Sequence, residues 1–220
     1  MEQQSTNQKH IFLSGEGDSW YDRNLRDKPD SQLLSYDIEC IIEFCKAPAL
    51  GEVKRVLEVG CSDGTKLNTL AKHFNAVGFG IDPSPSAISA GMKRYNSPRI
   101  NLSVGTSDTL PFEDESFDLV FVGFCLYLVD RNLLSDTFNS INRVLRRGGV
   151  VAITDFDVIE PLIREYHHIE GVKTYKCDYP SMLVQAFGYH LGYKSSYSHH
   201  SNLYTNDVQE RIAISILYKP

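Results

Sequence analysis

The sequence predicts an α/β fold, a doubly wound and mainly parallel sheet that ends in an antiparallel hairpin. Three observations carry this. Short β-rich runs alternate with helical ones from Arg55 onward. The run FDLVFVGF (117–124) is almost continuously apolar, as a strand covered on both faces must be. Successive runs are separated by helices or long connections, which are the crossovers that parallel strands need.

The elements follow in order. MEQQSTNQKH is polar with no apolar period, so the first dozen residues are expected to be loosely attached, and residues 1–30 to form an arm or lid. This start lacks the basic and apolar regions of a secretory signal. From Ser31 the apolar residues Leu33, Leu34, Ile38, Ile41, Ile42 and Cys45 recur at helical spacing until Pro48 and Gly51, so one amphipathic helix opens the domain at 31–220. RVLEVG, TKLNTLAKHF, AVGFGID and SAISAGMKRY then read strand, helix, strand, helix. A third strand runs near Ile100–Val104 and FDLVFVGF is the fourth. A helix is expected from about Arg131 to Arg146, stopped by Gly148 and Gly149, with VVAITDF as the fifth strand. The His- and Tyr-rich stretch that follows has neither period, and residues 158–190 are expected to be a substrate-binding insertion with a short helix near Met182–Phe187. YKSSYSHHS and RIAISILYK, joined through Asn202 and Asn206, should pair as the hairpin.

Bulk composition excludes several classes. At 220 residues the chain can bury one sizeable core, and a formal charge of −6 repels a phosphate backbone, so nucleic acid is not the expected partner. Five cysteines, an odd number with no CxxC pair, suggest neither a disulfide framework nor a zinc ribbon, and reduced thiols fit a cytoplasmic protein. No apolar run approaches the roughly 20 residues that span a bilayer.

Chemistry concentrates at three strand ends. VLEVGCSDGTKL (56–67) is a strand running into a glycine turn and a helix, which is where ligands bind in open α/β sheets. Gly60 and Gly64 admit close backbone approach, and Glu58 is an acid placed to accept from an ammonium group. A dinucleotide fits poorly, because the turn reads GxxxG between Glu58 and Asp63 instead of GxGxxG. Asp82 ends the next strand, where a carboxylate can take both hydroxyls of a ribose, and Asp108 in VGTSDTLPF is placed to accept from an exocyclic amine. Any one of these acids could instead cap a helix or pair with a base. Three in succession describe a pocket for a cationic nucleoside, and S-adenosyl-L-methionine is one.

VLEVGCSDG, GIDPS, SDTLPFEDESFDLVF and LRRGGVVAITDF, in this order and spacing, resemble class I S-adenosylmethionine-dependent methyltransferases over roughly residues 53 to 156. The resemblance implies a Rossmann-like domain with S-adenosyl-L-methionine as its cofactor. It implies that Glu58 and the turn of Gly60, Cys61, Ser62 and Gly64 hold the methionine part. Asp82 with Pro83 would hold the ribose, Ser107, Asp108 and Thr109 the adenine, and Phe124 would meet the methionine end. Tyr127 would face the substrate. The family turn is commonly GxGxG, and Ser62 stands here for its middle glycine.

Other readings share these residues. Gly60–Gly64 also matches GxSxG, the elbow of serine hydrolases, and Ser62, Asp155 and His199 or His200 follow the hydrolase chain order. Against it, no glycine-rich oxyanion loop lies upstream, and a hydrolase has no use for Asp82 and Asp108. A cofactor-binding partner or sensor without turnover is a further alternative. Cys61 and Cys125 are read as small buried hydrophobes. For methyl transfer to a hydroxyl of a sugar or similar small metabolite, His168 or His167 is the expected base, with Tyr127, Asp178 and Tyr179 beside it and Tyr175 nearby. A metal held by His167, His168, His199 and His200 is disfavoured, since adjacent histidines point different ways. Trp20 and Arg23 either close over the cofactor, Arg23 pairing with its carboxylate, or anchor the arm. Oligomeric state does not follow from the sequence.

Overall fold

Burial on both faces decides which runs take the middle of the sheet. β1 (Arg55–Val59) is exposed only at its first residue, and β4 (Phe117–Gly123) is buried at five of its seven. These two lie side by side and parallel, Val56 opposite Leu119 and Val59 opposite Val122. β2 (Val77–Asp82) and β3 (Ile100–Val104) extend the parallel sheet beyond β1, while β5 (Leu145–Phe156) joins β4 on the other side. β8 (His190–Ser198) and β9 (Arg211–Tyr218) form the expected hairpin, and β9 docks antiparallel on β5. The order is β3-β2-β1-β4-β5-β9-β8. This computed structural model describes residues 7–26 and 35–220.

Side chains alternate across the sheet and divide the core in two. Leu119 and Phe121 of β4 face α3 (Tyr36–Phe44) and α4 (Thr65–Phe74) through Ile38, Ile41, Leu67 and Leu70. Val120 and Val122 face α6 (Leu134–Val144) and α7 (Tyr179–Phe187) through Phe138, Ile141, Tyr179 and Leu183. α5 (Pro85–Tyr95) starts where sequence demands it: Ser84 accepts from the Ala87 amide at 3.0 Å and Pro85 occupies the first turn. Among the described residues no helix is long and apolar enough to cross a membrane.

Three expectations need correction. The first dozen residues are not loose from residue 7 onward: α1 (Gln8–Ile11), a five-residue π-turn (Phe12–Glu16) and α2 (Gly17–Asn24) form a docked arm. Gln8 is buried because Asp130, Leu128 and Lys173 satisfy its polar groups, partners too distant in sequence for any local period to reveal. The glycine pair does not stop α6, which ends at Val144. Gly148 and Gly149 lie inside β5, and a Cβ on Gly149 would meet the Leu145 side chain at 2.6 Å. The opening helix is seen as α3, and its predicted start at Ser31, Leu33 and Leu34 lies outside the described residues. The stretch 158–190 forms its own small hairpin of β6 (Leu162–Glu165) and β7 (Lys173–Lys176), followed by α7. α7 begins at Tyr179, three residues before its predicted start at Met182.

Candidate functional site

The chain lays down β1, β2 and β3 in one direction across the sheet, then returns to place β4 and β5 on the other side of β1. Between β1 and β4 the connections leave in opposite directions, so a crevice opens at their carboxyl ends. A cavity of about 790 Å³ lies there, lined from both strands by Glu58, Gly60, Gly123 and Phe124.

The turn after β1 is shaped by its backbone. Gly60 has φ +75° and Ser62 φ +50°, and a Cβ on Gly60 would meet Cys125 at 2.9 Å. The Ser62 amide donates to Asp82 Oδ2 at 2.8 Å and the Ser84 amide to Oδ1 at 2.9 Å, which fixes Asp82 across the turn. Asp82 thus both braces the turn and lines the cavity. Burial pushes its carboxyl up to about 6. Glu58 is buried more deeply, and burial raises it to about 8, with Lys66 pulling the other way. Its Oε2 and the Ser62 hydroxyl have no hydrogen-bond partner among the described residues, and both residues line the cavity. An unsatisfied buried carboxylate oxygen calls for a donor, and an amino-acid ammonium beside the glycine turn is such a donor. The residues present therefore fit S-adenosylmethionine.

Of the residues singled out in the sequence, Trp20, Glu58, Gly60, Cys61, Ser62, Asp82, Pro83, Ser107, Asp108, Phe124 and Tyr127 all line this cavity. Asp108 also meets Lys9 Nζ at 2.6 Å; burial raises its carboxyl, but Lys9 and neighbouring hydroxyls outweigh that and hold it below the ordinary range. Gly64 lies behind the turn against Leu102, and Thr109 turns its hydroxyl to Asp108. Arg23 is directed elsewhere, pairing with buried Glu16 and donating to Tyr166 Oη at 3.0 Å.

The expected acceptor-side residues divide. Tyr127 is in the cavity with Trp20, and burial pushes its hydroxyl far above the usual tyrosine range. His167 and His168 are exposed on the turn of the β6–β7 hairpin and do not line it, and the His168 ring packs on Tyr166. Tyr179 is fully buried, bonded to the carbonyls of Leu126 and Tyr175, while exposed Asp178 accepts from Ser181. Tyr175 lies under the Arg131 guanidinium, 4.3 Å from its ring centroid. The hydrolase arrangement is not assembled: the Ser62 hydroxyl meets no imidazole, and Asp155 accepts from the Tyr127 and Phe156 amides. Among the described residues no three His, Cys, Asp or Glu side chains gather as a metal would require. The five cysteines are unpaired, and burial pushes Cys61 and Cys125 well above the usual thiol range, which leaves them inert.

Sequence reasoning missed part of the wall. Asp37 accepts from Lys66 Nζ at 2.6 Å, and both line the cavity beside Thr154, Tyr197, Ser198, His199 and His200. Asp37 is buried on an amphipathic helix, and only that placement on the apolar face would have signalled it. Asp130 lines the cavity too and accepts from the Gln8 and Lys9 amides at 3.2 and 2.9 Å.

Comparison with known proteins agrees with this geometry. Residues 56–149 match the family described as Methyltransferase domain. The chain is 35% identical over 106 residues to phthiotriol/phenolphthiotriol dimycocerosates methyltransferase 1 of Mycobacterium ulcerans, covering 46% of this chain and 37% of that protein. It is 36% identical over 126 residues to fatty-acid O-methyltransferase of Mycolicibacterium smegmatis, covering 56% of this chain and 44% of the relative. The matched stretch thus spans less than half the length of these relatives. The crystal structure of 1,6-didemethyltoxoflavin-N1-methyltransferase from Burkholderia thailandensis, with S-adenosylhomocysteine bound, superposes with a TM-score of 0.72 at 13% identity, covering 100% of this chain and 93% of that one. That likeness establishes the Rossmann-like methyltransferase fold. The family match over the cofactor-side strands, the crevice at β1 and β4, and a wall of acids suited to a cationic nucleoside all fall on the same stretch of the chain, whose residues 56–149 are similar to the methyltransferase domain family and whose fold is that of Rossmann-like methyltransferases.

Proposed function

We propose that the protein transfers the methyl group of S-adenosylmethionine to an oxygen of a small hydroxylated acceptor. One observation carries this reading: Glu58, Asp82 and Asp108, from three separate strand ends, line one cavity, with a Glu58 oxygen left unpartnered. When bound, the donor supplies an electrophilic methyl on a sulfonium, so the protein's task is placement and exclusion of water. Glu58 binds the ammonium and ionises as it does so. Asp82 keeps its two backbone amides and offers its remaining lone pairs to the ribose hydroxyls. Ser107 and Asp108 bound the adenine end, and Trp20, Phe12 and Lys9 of the arm cover it as a lid. A relative named fatty-acid O-methyltransferase supports oxygen as the attacked atom. The negative charge of the chain supports a small acceptor over a nucleic acid.

Calorimetry with S-adenosylhomocysteine tests the ribose assignment. Asp82→Ala removes charge-assisted hydrogen bonding to the ribose worth about 1.5–3 kcal/mol in all, so affinity should fall roughly 10- to 100-fold while the circular dichroism spectrum is kept. Wild-type affinity in the variant would remove Asp82 from the donor site.

A further inference from the structure

Resting on that reading, we propose that Lys66, held in place by Asp37, receives the carboxylate of the donor's amino-acid end, so that Glu58 and Lys66 together recognise a zwitterion. The sequence offered Arg23 for that carboxylate, and the fold sends Arg23 to Glu16 and Tyr166 instead. The glycine turn has little left to give, because the amides of Gly60, Cys61, Ser62, Gly64 and Thr65 already donate within the fold. A carboxylate drawn into this crevice with its ammonium on Glu58 therefore calls for a side-chain cation.

Among the described lining residues the lysines and arginines are Lys9, Lys66 and Arg94. Lys9 pairs with Asp108 at the adenine end, and Arg94 reaches from α5 to Asp63 at 2.9 Å. Lys66 stands in the first turn of α4, directly after the glycine turn, and is the charge that acts most strongly on Glu58. Yet the two are not bonded to each other: Glu58 Oε2 has no partner among the described residues, while Lys66 Nζ donates to Asp37 Oδ2 at 2.6 Å. An acid and a base that line one cavity, act on each other and stay unbonded suit a ligand group carrying both charges. An α-amino acid is such a group. With its ammonium on Glu58 and its carboxylate on Lys66, charges alternate from Glu58 to Asp37, and every neighbour is of opposite sign.

Asp37 is the positioning residue of this subsite. It is 1% exposed, and besides Lys66 it accepts from the Ser35 hydroxyl, the Ile38 amide at 2.9 Å and the Thr154 hydroxyl at 3.2 Å. Burial raises its carboxyl, but Lys66 and these donors outweigh that and hold it below the ordinary range. Lys66 Nζ also lies 5.6 Å from the centroid of the Phe121 ring, so the ammonium is placed from two sides. Asp37 occupies one of its three donors, and the start of α4 adds its own positive field for an anion.

S-adenosylhomocysteine and its decarboxylated analogue, which keeps the amine, separate the two charges of the ligand. Each is titrated by calorimetry into the wild type, Lys66→Gln, the double variant Asp37→Asn/Lys66→Gln and Arg94→Gln. The wild type should bind S-adenosylhomocysteine about tenfold or more tighter than the analogue, the worth of one charge-assisted hydrogen bond. In Lys66→Gln, and in the double variant that strands no buried carboxylate, the two ligands should bind within about twofold of each other. Arg94→Gln should keep the wild-type ratio. A lysine that only supports the fold would weaken both ligands alike. Retention of the wild-type ratio in both Lys66 variants, its loss in Arg94→Gln alone, or a wild type indifferent to the carboxylate overturns the proposal and leaves the methyltransferase reading standing. Absence of S-adenosylhomocysteine binding by the wild type overturns that reading and this one with it.

Discussion

Glu58 shows what one side chain contributes and what it costs. Burial raises its pKa from an ordinary 4.5 to about 8, so at pH 7 the carboxyl is largely protonated before a ligand arrives. An ammonium placed on Oε2 favours the ionised form, and binding of S-adenosylhomocysteine at pH 7 should release a proton. Calorimetry in buffers of differing ionisation enthalpy reads that number directly: close to one for the wild type and near zero for Glu58→Gln. The same shift has a stability consequence with a definite sign. An acid whose pKa is raised on folding stabilises the native state fully below about pH 4.5 and loses that contribution as pH rises toward 8. Glu58→Gln should therefore melt several degrees above the wild type at pH 8, with the gap closing near pH 4. A variant that is less stable at pH 8 would show that the carboxylate has a partner in solution.

At the scale of elements the arm is the part whose behaviour is least local. It is pinned at both ends of its run: Asp130 takes two amides of α1, and Asp18 of α2 accepts from Ser84 Oγ at 2.5 Å and the Ser86 amide at 2.9 Å. Between them Tyr166 Oη donates to Glu16 at 2.6 Å, and Phe12 packs on Tyr166 and Val172 of the 158–190 segment. The arm and the β6–β7 hairpin thus share one small apolar cluster. Asp130→Ala leaves two amides without their acceptor, and residues 8–24 should exchange their amide hydrogens faster by about tenfold. Affinity for S-adenosylhomocysteine should fall with it, since Trp20 and Phe12 line the cavity from that arm. Faster exchange with unchanged affinity would mean that the arm does not cover the ligand.

Over the whole molecule, stability and chemistry are separated along the strands. The middle of β4 is apolar and closed, with Leu119, Val120, Phe121 and Val122 each 0% exposed. The carboxyl ends carry the acids. Leu119→Ala should cost about 2–5 kcal/mol and lower Tm by roughly 5–15 °C, with little change in S-adenosylhomocysteine affinity once the protein is folded. A large affinity loss with an unchanged melt would place Leu119 in the site instead of the core.

Much of this was legible in the residues alone, for a physical reason. The alternation of strand and helix, and acids placed directly after β-rich runs, are local patterns, and a parallel sheet turns strand ends into one edge whatever the details. The three carboxylates therefore converge because their strands are neighbours. What local pattern cannot encode is which distant pieces meet that edge. His167 and His168, chosen because they follow the fifth strand, are carried away on a hairpin, while His199 and His200 arrive on a loop that the β8–β9 pairing delivers. Gln8, read as part of a loosely attached start, and Asp130, 122 residues away, are joined only by the fold. Neighbouring residues determined that acids follow three successive strands; only tertiary contact, which depends on the path of the entire chain, decided which distant segments complete the cavity wall.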